Sequence, residues 1–251
     1  MALNNDPDFS ELPQFTKQQL SNYLKVLKEK LFGSYTISLS EVRQYCENNI
    51  AIPDDLDKVY VCGHEIFEND NQRASTTGLD ATIRIFFSTR RLLMLASNEY
   101  TSHIAVDATY KLVWQGYPAM MIGSTDRGCH YQPFGFAVCT NEETVDYKFI
   151  FETLKRVAPR FQPTAMVADA SPAITAGFIR VYGEQKRIMC WIHMMRNAKK
   201  YLMGIPVKQK IEIIADIESL QLSANENMFE KACSLFVRKW TGRTDQNRRV
   251  C

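Results

Sequence analysis

No apolar run in this chain approaches the length of a membrane-spanning helix. No low-complexity tract or internal repeat interrupts it. Charge of one sign is not in excess: 30 Lys and Arg stand against 28 Asp and Glu, a formal net charge of +2. Bulk charge therefore neither demands nor excludes a nucleic-acid partner, and only a local basic patch decides. An even, regularly spaced set of cysteines is missing too. There are seven, irregularly placed, behind a polar, acidic start, MALNNDPDFSELPQF, that does not read as a signal peptide. Free thiols in a reducing compartment are expected, with a metal ligand among them at most. What is present is a 45% hydrophobic complement in 251 residues, enough for one large domain or a domain with an arm.

The periodicity divides the chain. Over residues 1–60 a helical arm is predicted. Thr16 caps a helix with apolar positions Leu20, Leu24, Leu27 and Leu31 that ends near Gly33, and a second helix starts at Ser40 and runs through Val42, Tyr45 and Cys46 until Pro53 and the acidic DDLD. Residues 61–102 form a connecting region. Within it HEIFENDNQRASTTGLD is polar and turn-rich and reads as a loop, and RIFFSTRRLLMLAS (84–97) as a strand followed by a turn or short helix.

Residues 103–204 carry the informative order. IAVDATYKL, AMMIGSTD (119–126) and FGFAVCT (134–140) read as three meandering strands. A helix follows over 144–157, with Val145, Phe149, Leu154 and Val157 on one face. AMVADA (165–170) is a short buried strand. Ser171 and Pro172 open a helix that Gly183 closes. RIMCWIH (187–193) is a further strand, running into a helix near 194–202. Residues 205–251 are a helical segment with a basic tail: Val207, Ile211, Ile214 and Ile217 share one face, and Ser223 with Glu226 matches a capping box. A meander followed by alternating helices and strands predicts an α/β fold with a mixed sheet, and one solution is the ribonuclease H-like arrangement, whose fourth strand lies parallel to the first.

Asp107 is out of place in such a strand, because burying a lone carboxylate is costly. Either the strand is an edge and the acid faces water, or the acid holds a cation. In the ribonuclease H-like arrangement Asp107 and Asp169 converge. Two close carboxylates repel unless a cation joins them, and Mg or Mn prefers such hard oxygen ligands. Two such ions would serve phosphodiester hydrolysis or strand transfer. The plainer alternatives are a solvent-facing Asp107 and an Asp169 that caps the next helix.

Taken together, DATYKLVWQGYPAMMIGSTD, FGFAVCTNEETVDYKFIFETLK, MVADASPAI and CWIHMMRN resemble the transposase domain of Mutator-like elements, the MULE family. The upstream IFFSTRRLL and YTISLSEVRQYCENNIAIPDDLD resemble the region preceding that domain in animal members. The resemblance implies a DDE-type transposase on a ribonuclease H-like fold. Asp107, in DATYK, matches the first catalytic acid and Asp169, in VADAS, the second, with two Mg or Mn ions between them. Cys190 and His193 match the family's C-x-x-H motif near the active site. The implied partner is transposon-end DNA and the implied location the nucleus. No membrane partner is expected, and homo-oligomerisation stays open. The family's third acid, a glutamate, follows a helical insertion that residues 206–240 resemble. The chain stops at Cys251 before a segment that would supply it, so a C-terminally truncated domain is expected. Glu212, Glu218, Glu226 and Glu230 lie in the insertion and read as solvated helix charges. The alternative is an inactive, domesticated or truncated transposase that binds DNA or protein.

Other constellations carry less. Zinc needs four ligands, Cys190 and His193 supply two, and Cys62 with His64 or Cys129 with His130 lacks finger spacing. A Cys190–His193 nucleophilic dyad, as in an unrelated hydrolase, has no orienting third group. Basic residues cluster at Arg90 and Arg91, at Arg196, Lys199 and Lys200, and at Arg243, Arg248 and Arg249. The middle cluster is the one expected near DNA phosphates. Trp114 and Tyr117 are candidates for base stacking or for packing over a sheet edge. Phe229, Phe236 and Trp240 are expected to form the core of the insertion.

Overall fold

The computed structural model describes residues 16–32, 38–68, 81–98, 101–110, 112, 116–126, 128 and 130–244. Two helices come first, α1 (Lys17–Phe32) and α2 (Leu39–Asn48), then strands β1 (Tyr60–Glu68) and β2 (Ala81–Ser88) and helix α3 (Arg90–Ala96). The meander follows as β3 (His103–Thr109), β4 (Ala119–Thr125) and β5 (Tyr131–Cys139). After it come α4 (Thr144–Val157), β6 (Ala165–Ala168), α5 (Pro172–Tyr182), β7 (Lys186–Met189), α6 (Trp191–Tyr201), α7 (Val207–Gln221) and α8 (Glu226–Thr244).

All seven strands join one sheet in the order β1-β2-β5-β4-β3-β6-β7. The hairpin and the meander pair antiparallel, whereas β3 pairs parallel with β6, and β6 parallel with β7. The mixed α/β sheet expected from the sequence is thus present, and β3 is an interior strand. Alternation along β3 sends Ile104 and Val106 into the main core, beneath α4 and α5, with Phe86, Met120, Ile122, Phe151 and Phe178. Full burial of such side chains contributes roughly 1.5–3 kcal/mol each. The opposite face is covered at the β1–β2 end by α2, where Cys46, Leu39 and Val42 meet Val61, Ile83 and Ile85. Gly177 lets α5 approach α4: a Cβ there would lie 2.7 Å from Tyr147 Cβ and 3.0 Å from the Lys148 nitrogen.

Several expectations are corrected. Residues 64–68 of the expected loop are part of β1, because Glu65 pairs with Arg84 and Ile66 with Ile83 across the hairpin; its remaining residues, 69–80, lie outside the described residues, as does Gly33. The cap of α2 is Ser38, not Ser40: its hydroxyl accepts from the Glu41 N–H and the Glu41 carboxylate accepts from the Ser38 N–H. Asn225 rather than Ser223 caps α8, accepting from the Met228 N–H at 3.0 Å. The strand expected over 187–193 stops at Met189. Cys190 donates its N–H to the Ala168 carbonyl at 2.8 Å, then turns the chain as the N-cap of α6, so His193 is helical. On α7, Val207 and Ile211 face solvent, and Ile213, Ile214 and Ile217 pack instead on Leu202, Phe236 and Trp240. Phe229 is exposed and lies outside that small core. The leucine stripe of α1 also faces solvent at Leu20, Leu24 and Leu27.

Candidate functional site

The β3–β6 register sets the site. His103 lies beside Ala165 and Ala105 beside Val167, and the same offset carried two residues further brings Asp107 level with Asp169, just past the end of β6. Ile104, Val106, Met166 and Ala168 all enter the main core, which leaves Asp107 to the opposite face of β3, while Asp169 follows one residue past the end of β6, at the same end of the sheet. Parallel strands have their unpaired carboxyl ends there, a place where α/β sheets commonly bind ligands. An edge position does not explain Asp107, since β4 and β6 flank its strand.

Both acids are held by local donors. Asp107 Oδ1 accepts from the Ala108 N–H at 3.0 Å and faces His193 Nε2 at 3.5 Å. Its side chain is 64% exposed, against 19% for His193. Asp169 Oδ1 accepts from the Ser171 N–H at 2.8 Å. It therefore organises the turn into α5 at its backbone, while the Ser171 hydroxyl makes no cap bond. Neither Oδ2 has a hydrogen-bond partner among the described residues. Oxygen-only donors with a free carboxylate oxygen each suit a hard divalent cation, which commonly takes one or two carboxylates and completes its shell with water and substrate phosphate. No group of three or more His, Cys, Asp and Glu residues is placed to hold a metal ion among the described residues.

Cys190 and His193 reach this end of the sheet by different routes. Cys190 is fixed through its N–H on Ala168, and one helical turn later His193 faces Asp107. The imidazole is turned toward the carboxylate, and its buried Nδ1 has no partner, so no Cys–His dyad forms. The Cys62–His64 completion weighed from the sequence does not assemble either. Cys62 is buried in β1, at the opposite edge of the sheet from β7. His130 sits in the β4–β5 turn against Asp126, and Cys129 lies outside the described residues.

The basic clusters separate cleanly. Arg91 forms a two-pronged pair with Asp57 at 2.5 and 2.8 Å, and Arg90 donates to the Asp54 carbonyl at 2.8 Å. That pair staples α3 to the acidic loop. Arg196, Lys199 and Lys200 are exposed on α6, the helix that starts beside the two acids, and make no ion pair with a described residue. The side chain of Arg243, with Arg248 and Arg249, lies outside the described residues. Tyr117 is buried beside Val61 and Ile85, which removes it from base stacking; Trp114 lies outside the described residues. Glu218, Glu226 and Glu230 are exposed, and Glu212 is half-buried, all on α7 and α8.

Sequence reasoning misses Glu142, the phenols it holds, and Tyr131. Glu142, just after β5, takes the Tyr147 hydroxyl on Oε1 at 2.6 Å and the Tyr110 hydroxyl on Oε2. The Glu142 hydrogen bond, burial and the nearby Asp169 charge push the Tyr110 phenol up to about 12. Burial, Glu142 and Asp169 push Tyr147 upward as well. Asp169 therefore shares its surroundings with another carboxylate, Glu142, whose oxygens are occupied by phenols. Tyr131, at the start of β5, lies near Asp107, whose charge adds to burial in pushing that phenol upward. Tyr110 is visible inside DATYK, but nothing local in NEET or HYQP announces proximity to a distant aspartate.

No helix among the described residues is long and apolar enough to cross a membrane. No curated protein matches the chain. The family model described as the MULE transposase domain matches residues 103–197, the segment that runs from β3 into α6 and holds both aspartates, Cys190 and His193.

Proposed function

We propose that this segment is the core of a DDE-type DNA transposase on a ribonuclease H-like sheet, cutting and joining phosphodiester bonds at transposon ends. The observation that supports the reading is the parallel β3–β6 register, whose offset, continued two residues beyond the Ala105–Val167 pair, would bring Asp107 level with Asp169. The strand order β5-β4-β3-β6-β7, antiparallel on one side of β3 and parallel on the other, supports the fold assignment. Asp107 and Asp169 are the first two catalytic acids and would hold two Mg or Mn ions. Such ions supply positive charge at the phosphate and acidify the attacking water or 3′ hydroxyl.

The remaining work belongs to the chain. The Ala108 and Ser171 N–H groups fix one oxygen of each carboxylate, and the other has no hydrogen-bond partner among the described residues. His193 restrains Asp107 from α6. Arg196, Lys199 and Lys200 offer the DNA backbone positive charge beside the acids. Action on transposon DNA implies residence in the nucleus.

The test is nicking of supercoiled plasmid with Mg or Mn, comparing the wild type with Asp107→Asn and Asp169→Asn. Each substitution should lower the rate by about 10²–10³-fold, the scale for removing one preorganised electrostatic group. Asparagine variants that nick like the wild type would sink the assignment. No third acid joins the pair in a metal-holding group among the described residues, which favours a second reading, a binding module without chemistry. A wild type that shifts DNA in a salt-dependent way yet neither binds metal nor nicks would establish it.

A further inference from the structure

Tyr131 lies opposite Thr125 in the β4–β5 ladder, and Gly123 lies two residues along β4 on the same face. The ring crosses that diagonal. A Cβ on Gly123 would stand 2.7 Å from both Tyr131 Cζ and its hydroxyl oxygen. Gly123 in turn pairs with Ala105 on β3, two residues before Asp107 and on the same face as the acid. The bare glycine is therefore a gap in β4 through which a residue from β5 reaches toward β3.

Three properties make this more than packing. The Tyr131 residue is 42% exposed, although its ring is held in place. Its hydroxyl has no hydrogen-bond partner among the described residues, unlike those of Tyr110 and Tyr147, whose protons are committed to Glu142. Burial, with the charge of Asp107 adding to it, pushes the phenol above its ordinary value, so the group is a donor. A fixed neutral donor beside carboxylates complements an anionic oxygen at the position where charge develops.

We propose that Tyr131 is a further active-site residue, laid across Gly123 toward Asp107 so that its uncommitted O–H donates to a non-bridging oxygen of the DNA phosphate undergoing cleavage. This rests on the assignment of Asp107 to phosphodiester chemistry. The phenol keeps its proton throughout; it supplies a hydrogen bond and neither attacks nor transfers a group.

The experiment measures plasmid nicking with Mg or Mn for the wild type, Asp107→Asn, Tyr131→Phe and Tyr131→Leu, with melting temperature and duplex-oligonucleotide affinity for each. Tyr131→Phe keeps the ring and removes only the donor. It should slow nicking by roughly a hundred-fold, with unchanged melting temperature and little change in affinity, and Tyr131→Leu should be no faster. In protein carrying 3-fluorotyrosine, the ¹⁹F resonance assigned to position 131 by its loss in Tyr131→Phe should shift when the duplex binds. If Tyr131→Phe nicks like the wild type while Asp107→Asn is inactive, the donor role is wrong and the Asp107 assignment survives. A drop in nicking that tracks a fall in melting temperature, or a ¹⁹F signal unmoved by bound duplex, would also overturn it. If the wild type does not nick, or Asp107→Asn nicks normally, the underlying assignment fails and the role of Tyr131 falls with it.

Discussion

His193 Nε2 stands 3.5 Å from Asp107 Oδ1, a helix facing a strand from which it is separated by the whole meander, a second crossover and β7. The approach follows from a backbone bond. The Cys190 N–H on the Ala168 carbonyl stops β7 and starts α6 where one helical turn carries the imidazole to the acid. Asp107 projects from an interior strand with its side chain mostly in water, so the imidazole gives it a facing group rather than relief from burial.

His193→Ala should therefore weaken the reaction through Asp107, by about 10–100-fold, the usual cost of losing a partner that orients a metal-binding side chain. Isothermal titration of Mn with the wild type and the variant checks the route. Affinity should fall alongside the nicking rate, and an unchanged affinity would assign His193 a different role.

The basic triplet on α6 should act on DNA without regard to sequence. Replacing Arg196, Lys199 and Lys200 by alanine should weaken binding of unrelated duplexes alike. It should also flatten the plot of log affinity against log salt by about 0.9 for each phosphate no longer neutralised. Arg91→Ala, made at a residue already tied to Asp57, should leave that slope where it was. Fluorescence anisotropy over a range of salt concentrations reads both.

Arg84 ties three elements together. It reaches Asp146 on α4 at 2.6 Å and Glu65 on β1 at 2.9 Å, with the Asp146 side chain only 2% exposed and that of Glu65 41%. Burial works against the guanidinium charge, but the two carboxylates outweigh it and hold its pKa above the ordinary value. Arg84→Ala would leave Asp146 buried and unpaired and should cost about 3–5 kcal/mol. Glu65→Gln, at the exposed partner, should cost no more than about 1 kcal/mol. Urea unfolding separates the two.

Gly177→Ala should be destabilising although alanine is the better helix former. The added methyl would meet Tyr147 Cβ at 2.7 Å and α4 backbone atoms at 3.0 and 3.1 Å, so the two helices must separate. Overpacking of this kind costs about 1–3 kcal/mol, more than the roughly 0.5–1 kcal/mol gained in the helix interior. Thermal unfolding should show a lower midpoint.

The β4–β5 turn should be sensitive to acid. Asp126 accepts from the His130 and Gly128 N–H groups at 2.9 and 2.8 Å and from Gln132 Nε2 at 3.1 Å. The His130 backbone bond leads these in holding its carboxyl below the ordinary 3.8, against an opposing effect of burial. A carboxyl lowered on folding contributes stability above its unfolded pKa and loses it as pH falls through the folded value. Asp126→Asn should therefore melt below the wild type at neutral pH, and the gap should close only below the ordinary aspartate range. A gap independent of pH would mean that the charge contributes nothing.

Much of the fold is legible in the chain. Alternation marks β3 and β4, the helix expected over 144–157 is α4 to its ends, and Ser171-Pro172 with Gly183 bounds α5. These signals are local: side-chain period, a proline that presets φ, a glycine at φ 78°. What fails is also local in cause. HEIFE reads as polar because Glu65 serves an ion pair with Arg84 rather than the solvent, and RIMCWIH reads as one strand because nothing in it announces the Ala168 carbonyl that ends the ladder. At the site, Asp107, Asp169, Cys190 and His193 are recognisable, whereas Glu142 and Tyr131 are not, because their significance comes from neighbours supplied by other strands.

The amino-acid order by itself determined most of the helices and the three meander strands and placed an acid in the first of them, since backbone preference and apolar period act within a few residues. Only the tertiary structure decided that β3 lies between β4 and β6, that β3 and β6 run parallel in the register of Ala105 with Val167, that Arg90 and Arg91 are consumed by the acidic loop, and that Tyr131 crosses Gly123. Pairing register and side-chain reach depend on which distant strands become neighbours, and that is settled by how the whole sheet buries its apolar face.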